Sequence, residues 1–162
     1  MLSPECVHEL RTSWLPNMTD AGLDRIIDLM EKGSPMLVHG CFTKTVPMGC
    51  LATHVAWNHP STAHLTVDAG INWLHRVAGL NPATSYVIRE WDSRGGDNGH
   101  DGWANVLKIE FPFFEHHLKG NGGFQATNWE LRADFLAELK DHRRERHQNA
   151  KPVDRIRQLA EV

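Results

Sequence analysis

Apolar residues recur every three or four positions along most of this chain, and that spacing predicts a mainly helical protein. After Thr19, for example, Leu23, Ile26 and Met30 share one helical face, and the pattern stops at Gly33-Ser34-Pro35. Comparable patterns predict helices over residues 6–16, 47–57, 68–78, 82–91, 128–146 and 152–160. We therefore predict one compact, mainly α domain of five to seven helices.

Three segments depart from the helical pattern. Apolar and polar residues alternate from residue 106 to 111, which predicts a short β element there. A similar alternation from Leu37 to Cys41 predicts a second, shorter extended piece. Residues 92–102 are rich in glycine and aspartate, and this composition predicts an exposed loop inside a single domain that comprises residues 1–162.

Length and composition are those of an ordinary globular protein. The chain has 162 residues, enough for one domain with a buried core, and 41% of them are hydrophobic. No apolar run approaches the roughly 20 residues that cross a bilayer, and residues 1–9 lack the apolar stretch of a signal peptide. Three cysteines in such a chain fit reduced thiols better than a disulfide framework. These features predict a cytoplasmic protein without a membrane segment.

Positive charge is concentrated near the end of the chain. Residues 140–157 contain seven Lys and Arg against three Asp and Glu, a net charge of +4, whereas residues 1–139 carry −6. The cluster of Arg143, Arg144 and Arg146 suits either a solvated helix end or a patch that contacts the phosphates of a nucleic acid. The interleaved acidic residues and the acidic remainder of the chain favour the solvated helix end.

The basic C-terminal segment, residues 140–162, is also amphipathic. Pro152 can begin a helix on which Ile156 and Leu159 form part of a narrow apolar stripe. Because so short a helix is marginal alone in water, residues 150–162 are predicted to dock on their own chain or on a partner subunit. Docking on a partner would make the protein a homo-oligomer.

Histidine and cysteine, which bind zinc and related metals, cluster between residues 39 and 64. This Cys/His segment contains four of the eleven histidines and two of the three cysteines. Two pairs, His39 with Cys41 and Cys50 with His54, form a His-x-Cys-x8-Cys-x3-His pattern in which each pair places two ligands on one side. The pattern predicts a tetrahedral zinc site, to which His59 can add a further ligand.

An open metal site is one enzymatic alternative. Three ligands drawn from Cys50, His54, His59 and His64 would leave a coordination position for a water molecule, which is the arrangement that metal-assisted hydrolysis requires.

A thiol nucleophile is the other enzymatic alternative. Cys50 follows Pro47-Met48-Gly49 at a predicted helix start, where the helix dipole lowers the pKa of a thiol. His64 would then act as the base, and Asp68, four residues later, would orient its imidazole.

A third interpretation assigns the Cys/His segment no chemistry. Cysteine is among the most buried residue types, and histidines near helix ends often bond backbone carbonyls, so the segment could be a histidine-rich core helix. The protein would then be a metal-free helical interaction module. No His-Glu-x-x-His, Gly-x-Gly-x-x-Gly or Gly-x4-Gly-Lys motif is present to support another function. The function predicted from the sequence is therefore that of a small metal-binding protein, with zinc as the ion.

Overall fold

Six α-helices and one small hairpin form the part of the chain that the computed structural model describes, residues 1–95 and 128–150. The helices are α1 (Pro4–Glu9), α2 (Asp20–Glu31), α3 (Leu51–Trp57), α4 (Ala69–Asn72), α5 (Tyr86–Gly95) and α6 (Trp129–Asn149). The strands are β1 (Thr43–Thr45) and β2 (Met48–Gly49). The mainly helical fold predicted from the sequence is confirmed.

Two of the short helices continue into turns of different pitch. α1 runs on through a π-helical turn, Leu10–Trp14, and a 3-10 turn, Leu15–Asn17. α4 runs on through a π-helical turn, Trp73–Val77. The helices predicted over residues 6–16 and 68–78 correspond to α1 and α4 together with these turns.

The helix starts are determined locally by capping side chains. The Ser3 hydroxyl accepts a hydrogen bond from the backbone nitrogen of Cys6 in α1, the Thr19 hydroxyl accepts one in α2, and the Asn128 side chain accepts one in α6. α2 ends before Gly33, whose φ of +61° is in the left-handed region that glycine adopts without strain. The caps of Thr19 and Asn128 explain why the sequence predicts the starts of α2 and α6 well.

The helix predicted over residues 47–57 begins only at Leu51, because the preceding residues belong to the hairpin. β1 pairs with β2 in antiparallel orientation. The backbone nitrogen of Gly49 donates to the Met36 carbonyl at 3.0 Å, and that of Val38 donates to the Gly49 carbonyl at 2.9 Å. The hairpin is thereby fastened to the segment that follows α2.

Other boundaries also differ from prediction. The helix predicted over residues 82–91 begins only at Tyr86, as α5. The extended piece predicted from Leu37 to Cys41 is reduced to a single bridge between Leu37 and Gly49. Residues 92–95, predicted to belong to a loop over 92–102, continue α5 to Gly95, and residues 96–102 lie outside the described residues. Two predicted features lie outside the described residues: the β element near 106–111 and the C-terminal helix over 152–160.

Large aromatic side chains fill the core between the helices. Trp14, Trp73, Trp91 and Phe135 are all fully buried. The ring centroids of Trp14 and Trp73 are 5.3 Å apart, and those of Trp91 and Phe135 are 5.5 Å apart in an edge-on arrangement. Burial of each ring contributes about 2–3 kcal/mol before the cost of ordering the chain.

The basic end of α6 packs along α2. Three ion pairs join the two helices: Lys140 with Glu31 at 2.8 Å, Arg143 with Asp24 at 3.3 Å, and Arg146 with Asp20 at 2.6 Å. Arg146 also donates to the carbonyl oxygens of Leu15 and Met18, both at 2.7 Å. Lys140, Arg143 and Arg146 thus hold this helix end against α2, while most of residues 141–150 are exposed to solvent. Carboxylates of the same chain balance much of its positive charge.

None of the helices in residues 1–95 and 128–150 combines the length and the apolar composition that crossing a bilayer requires. The cytoplasmic location expected from the sequence stays a prediction.

Candidate functional site

The Cys/His segment does not converge on a metal centre. Within the described residues, which include this whole segment, no group of three or more His, Cys, Asp or Glu side chains is placed to hold a metal ion. The metal-binding function predicted from the sequence is therefore wrong, and the open metal site loses its basis for the same reason. The five predicted ligands, which differ in burial and in their surroundings, are His39, Cys41, Cys50, His54 and His59.

His39 is a core residue. Its side chain is 2% exposed, its ring stacks on that of Trp91 with centroids 3.9 Å apart, and its Nδ1 lies 2.9 Å from the Trp91 carbonyl oxygen. A side chain at Gly95, the last residue of α5, would collide with the same imidazole. Burial lowers the pKa of His39 to about 4, so the ring is neutral at neutral pH. His39 therefore joins the hairpin side of the fold to α5.

His54 has an equivalent structural role on α3. Its Nε2 lies 2.7 Å from the carbonyl oxygen of Met36, and its ring meets that of Trp57 edge-on at 5.2 Å. Burial lowers the pKa of His54 to about 4. One ring nitrogen of His54 is thus engaged by the backbone of the segment after α2, which accounts for a histidine at this buried position without a metal.

Cys50 precedes the first residue of α3, as predicted, but its thiol is not activated. The side chain is 1% exposed, and its sulfur lies 3.8 Å from the hydroxyl oxygen of Thr53. Burial raises the pKa of the Cys50 thiol to about 11, and this desolvation outweighs the nearby helix N-terminus. The low thiol pKa expected from the sequence is therefore wrong.

The partners predicted for Cys50 are on the protein surface. His64 and Asp68 are both exposed, and Asp68 precedes the first residue of α4. The Nδ1 atom of His59 accepts a hydrogen bond from the backbone nitrogen of Ser61 at 3.1 Å, within a turn after α3. The structure thus combines a buried thiol with an exposed imidazole and an exposed carboxylate, which gives the thiol-nucleophile hypothesis no support.

We expect Cys41 to be the first thiol to react with an alkylating reagent. It is half-buried, whereas Cys6 and Cys50 are fully buried with raised thiol pKa values. Native iodoacetamide labelling followed by peptide mass spectrometry should give a rate for Cys41 about tenfold above that of either other thiol. In urea the three rates should converge. Preferential native labelling of Cys50 would instead restore the nucleophile hypothesis.

An open groove runs along one face of α1 and its π-helical turn. Its volume is about 470 Å³, and we call it the α1 groove. Its lining residues are Pro4, Glu5, His8, Glu9, Thr12, Ser13, Leu80 and Tyr86. Leu80 and the aromatic ring of Tyr86, which is 48% exposed, supply an apolar wall opposite the polar face of the helix. Such a mixture of apolar walls and a few polar groups is typical of ligand sites.

Glu9 holds the two sides of the α1 groove together. Its buried carboxylate accepts hydrogen bonds from the Ser85 hydroxyl at 2.6 Å and from the backbone nitrogens of Tyr86 and Val87, both at 3.0 Å. It also accepts one from the Trp14 indole nitrogen at 3.0 Å. A carboxylate at a helix N-terminus balances the helix dipole, so Glu9 both caps α5 and places Tyr86 beside α1.

Carboxylates make the surroundings of α1 electronegative. Burial and, after it, the charges of Glu90 and Glu9 together raise the pKa of the Cys6 thiol to about 12, against the opposing charge of Arg94. Among the described residues that line the α1 groove there is no Lys or Arg, and His8 supplies the one imidazole. The groove therefore lies in a field that attracts positive charge.

A second cavity, of about 240 Å³, lies between the N-terminal helical segment and α6. Its lining residues are Arg11, Leu15, Glu138, Asp141, His142 and Glu145. Arg11 binds both carboxylate oxygens of Glu138, at 2.8 and 2.9 Å, and Arg146 donates to His142 at 2.8 Å. Because the chain already uses much of this polar lining, the α1 groove is the better candidate site.

The α1 groove was not predicted from the sequence. Positions 4, 5, 8, 9, 12 and 13 fall on one helical face, and Tyr86 is the one tyrosine of the chain; both signals were available. The opposite wall, however, comes from residues 80–86, and their contact with α1 depends on the tertiary fold.

Comparison of the chain with protein-family models, with curated proteins and with solved structures finds no match.

Proposed function

We propose that this protein is a binding protein that holds a small organic ligand non-covalently in the α1 groove. The observation that carries the proposal is a groove of about 470 Å³ with a half-exposed aromatic ring in its wall. Ligand pockets typically have volumes of roughly 300–1,000 Å³ and combine apolar walls with a few polar groups. Ring stacking on Tyr86 and contact with Leu80 would supply most of the affinity.

The walls of the α1 groove are held in place before a ligand arrives. Glu9 fastens Tyr86 to α1, and the backbone nitrogen of Leu80 donates to the Leu74 carbonyl at 2.8 Å. The backbone nitrogen of Ser3 donates to the Glu90 carboxylate of α5 at 2.8 Å, close to the start of α1. Because these contacts order the walls in advance, little entropy is lost when a ligand binds.

A fragment screen by two-dimensional NMR tests the proposal. We expect aromatic or short alkyl fragments to shift the resonances of Thr12, Leu80 and Tyr86 together, with dissociation constants in the millimolar range that is usual for fragments. Tyr86→Ala should weaken the best fragment about tenfold, since it removes the stacking surface, whereas Tyr86→Phe should bind within about twofold of the wild type.

Ile71→Ala is the matched control, because Ile71 is an exposed apolar residue that does not line the α1 groove. This variant should bind fragments like the wild type. Shifts confined to the cavity beside His142, or equal losses in Tyr86→Ala and Ile71→Ala, would contradict the proposed function.

A further inference from the structure

We infer that the ligand of the α1 groove is a small organic cation, in which an ammonium group is attached to an alkyl or aromatic body. The inference rests on the proposed function and adds the chemical class of the ligand. It is carried by three features of one groove: the exposed carboxylate of Glu5, the buried carboxylate of Glu9 and the half-exposed ring of Tyr86.

Glu5 provides a carboxylate that the described part of the chain leaves unengaged. It is exposed in the first turn of α1, and no Lys or Arg among residues 1–95 and 128–150 pairs with it. The adjacent helical face differs, because Arg11 there binds Glu138 through two hydrogen bonds. Glu5 is therefore available as the counter-ion of a bound cation.

Glu9 adds negative charge from below the groove surface. Its carboxylate is 7% exposed and accepts four hydrogen bonds, so it acts on a ligand through its field and not through direct contact. These hydrogen bonds also satisfy the start of α5, whose partial positive charge would otherwise repel a cation. The combination leaves the α1 groove negative although it lies beside a helix N-terminus.

Tyr86 suits the cation through its ring. The face of a tyrosine ring attracts an ammonium group, with an energy of about 0.5–1 kcal/mol at exposed sites, and the ring also offers apolar area to a hydrocarbon body. Leu80 and Pro4 extend that apolar area. Carboxylates and an aromatic face in one groove, whose described lining has no Lys or Arg, thus select positive charge and reject a carboxylate or phosphate ligand.

Three ligands of nearly equal shape but different charge test whether charge determines the affinity: benzylammonium, benzyl alcohol and benzoate. NMR titrations of the full-length protein at low ionic strength should show benzylammonium binding about tenfold more tightly than benzyl alcohol, and benzoate more weakly than either. The preference for benzylammonium should shrink in 0.5 M salt, because salt screens the carboxylates.

Glu5→Gln should reduce the affinity for benzylammonium about threefold and leave benzyl alcohol unchanged. Glu145→Gln is the matched control, since Glu145 is an exposed glutamate that lines the other cavity, and it should change neither affinity. If all three ligands bind in the groove with equal affinity, or if Glu5→Gln leaves their ratio unchanged, the inference is overturned and the proposed function stands. If no ligand of any charge shifts the groove resonances, the proposed function fails as well.

Discussion

Replacing Glu9 with glutamine should lower the free energy of unfolding by about 3 kcal/mol, a large effect for one isosteric change. The wild-type carboxylate accepts hydrogen bonds from the Trp14 indole, the Ser85 hydroxyl and two backbone nitrogens of α5. A glutamine amide offers one accepting oxygen and turns its NH₂ group towards donors. Three of the donors share Oε2 and the Tyr86 nitrogen bonds Oε1, so at least one donor at the start of α5 would lack an acceptor, and that helix start would lose its balancing charge.

Urea unfolding followed by tryptophan fluorescence measures this loss. Glu31→Gln is the matched control, because Glu31 forms a surface ion pair with Lys140, and it should change stability by less than about 1 kcal/mol. The folded Glu9→Gln protein should also show altered resonances for Tyr86, which Glu9 positions. A loss of stability no larger than that of the control would show that Glu9 does not hold α1 and α5 together.

Acidification from pH 6.5 to pH 4 should destabilise the protein through His39 and His54. Both histidines have a folded-state pKa of about 4 because they are buried, whereas an unfolded histidine has a pKa near 6.5. Between these values the unfolded chain binds more protons, so stability is fully present above pH 6.5 and falls as the pH decreases. The loss should approach about 3 kcal/mol for each histidine and stop growing below about pH 4.

The slope of the free energy of unfolding against pH between 7 and 5 shows whether histidines cause the loss, because carboxylates titrate mainly below this window. His54→Gln keeps a donor for the Met36 carbonyl but removes the titrating group, so its slope should be clearly smaller than that of the wild type, with His39 and His142, whose pKa values are also lowered, supplying the remainder. His64→Gln, at an exposed position, should keep the full slope. A stability that is constant from pH 7 to pH 5 would contradict the buried, neutral state of both rings.

Much of the helical architecture could be predicted from the sequence, because the physical causes are local. Thr19 and Asn128 cap α2 and α6 through bonds to nitrogens three residues ahead, and Gly33 provides the left-handed residue after α2. The prediction failed where pairing with a distant segment competes with helix formation. The hairpin before Leu51 is such a place, since its backbone bonds to Met36 and Val38.

The chemistry of the Cys/His segment could not be predicted from spacing. The sequence correctly indicated that Cys50 and His54 are one helical turn apart, but spacing does not reveal which side of a helix is buried or what it contacts. The backbone carbonyls of Met36 and Trp91 bind the two buried histidines. Because every residue has a backbone carbonyl, the sequence does not show which carbonyls accept such bonds. Burial also raised the pKa of the Cys50 thiol, away from the low value that thiol chemistry requires.

What the sequence by itself determined is therefore most of the helices, because their caps and apolar stripes follow from short-range geometry and from the period of apolar residues. Only the tertiary structure decided how charges and polar side chains are used. It placed Glu9 under the start of α5, paired Arg146 with Asp20, and brought Tyr86 to α1 across about half of the chain. Contacts between residues so far apart depend on how the helices pack, and that packing leaves no local signal in the sequence.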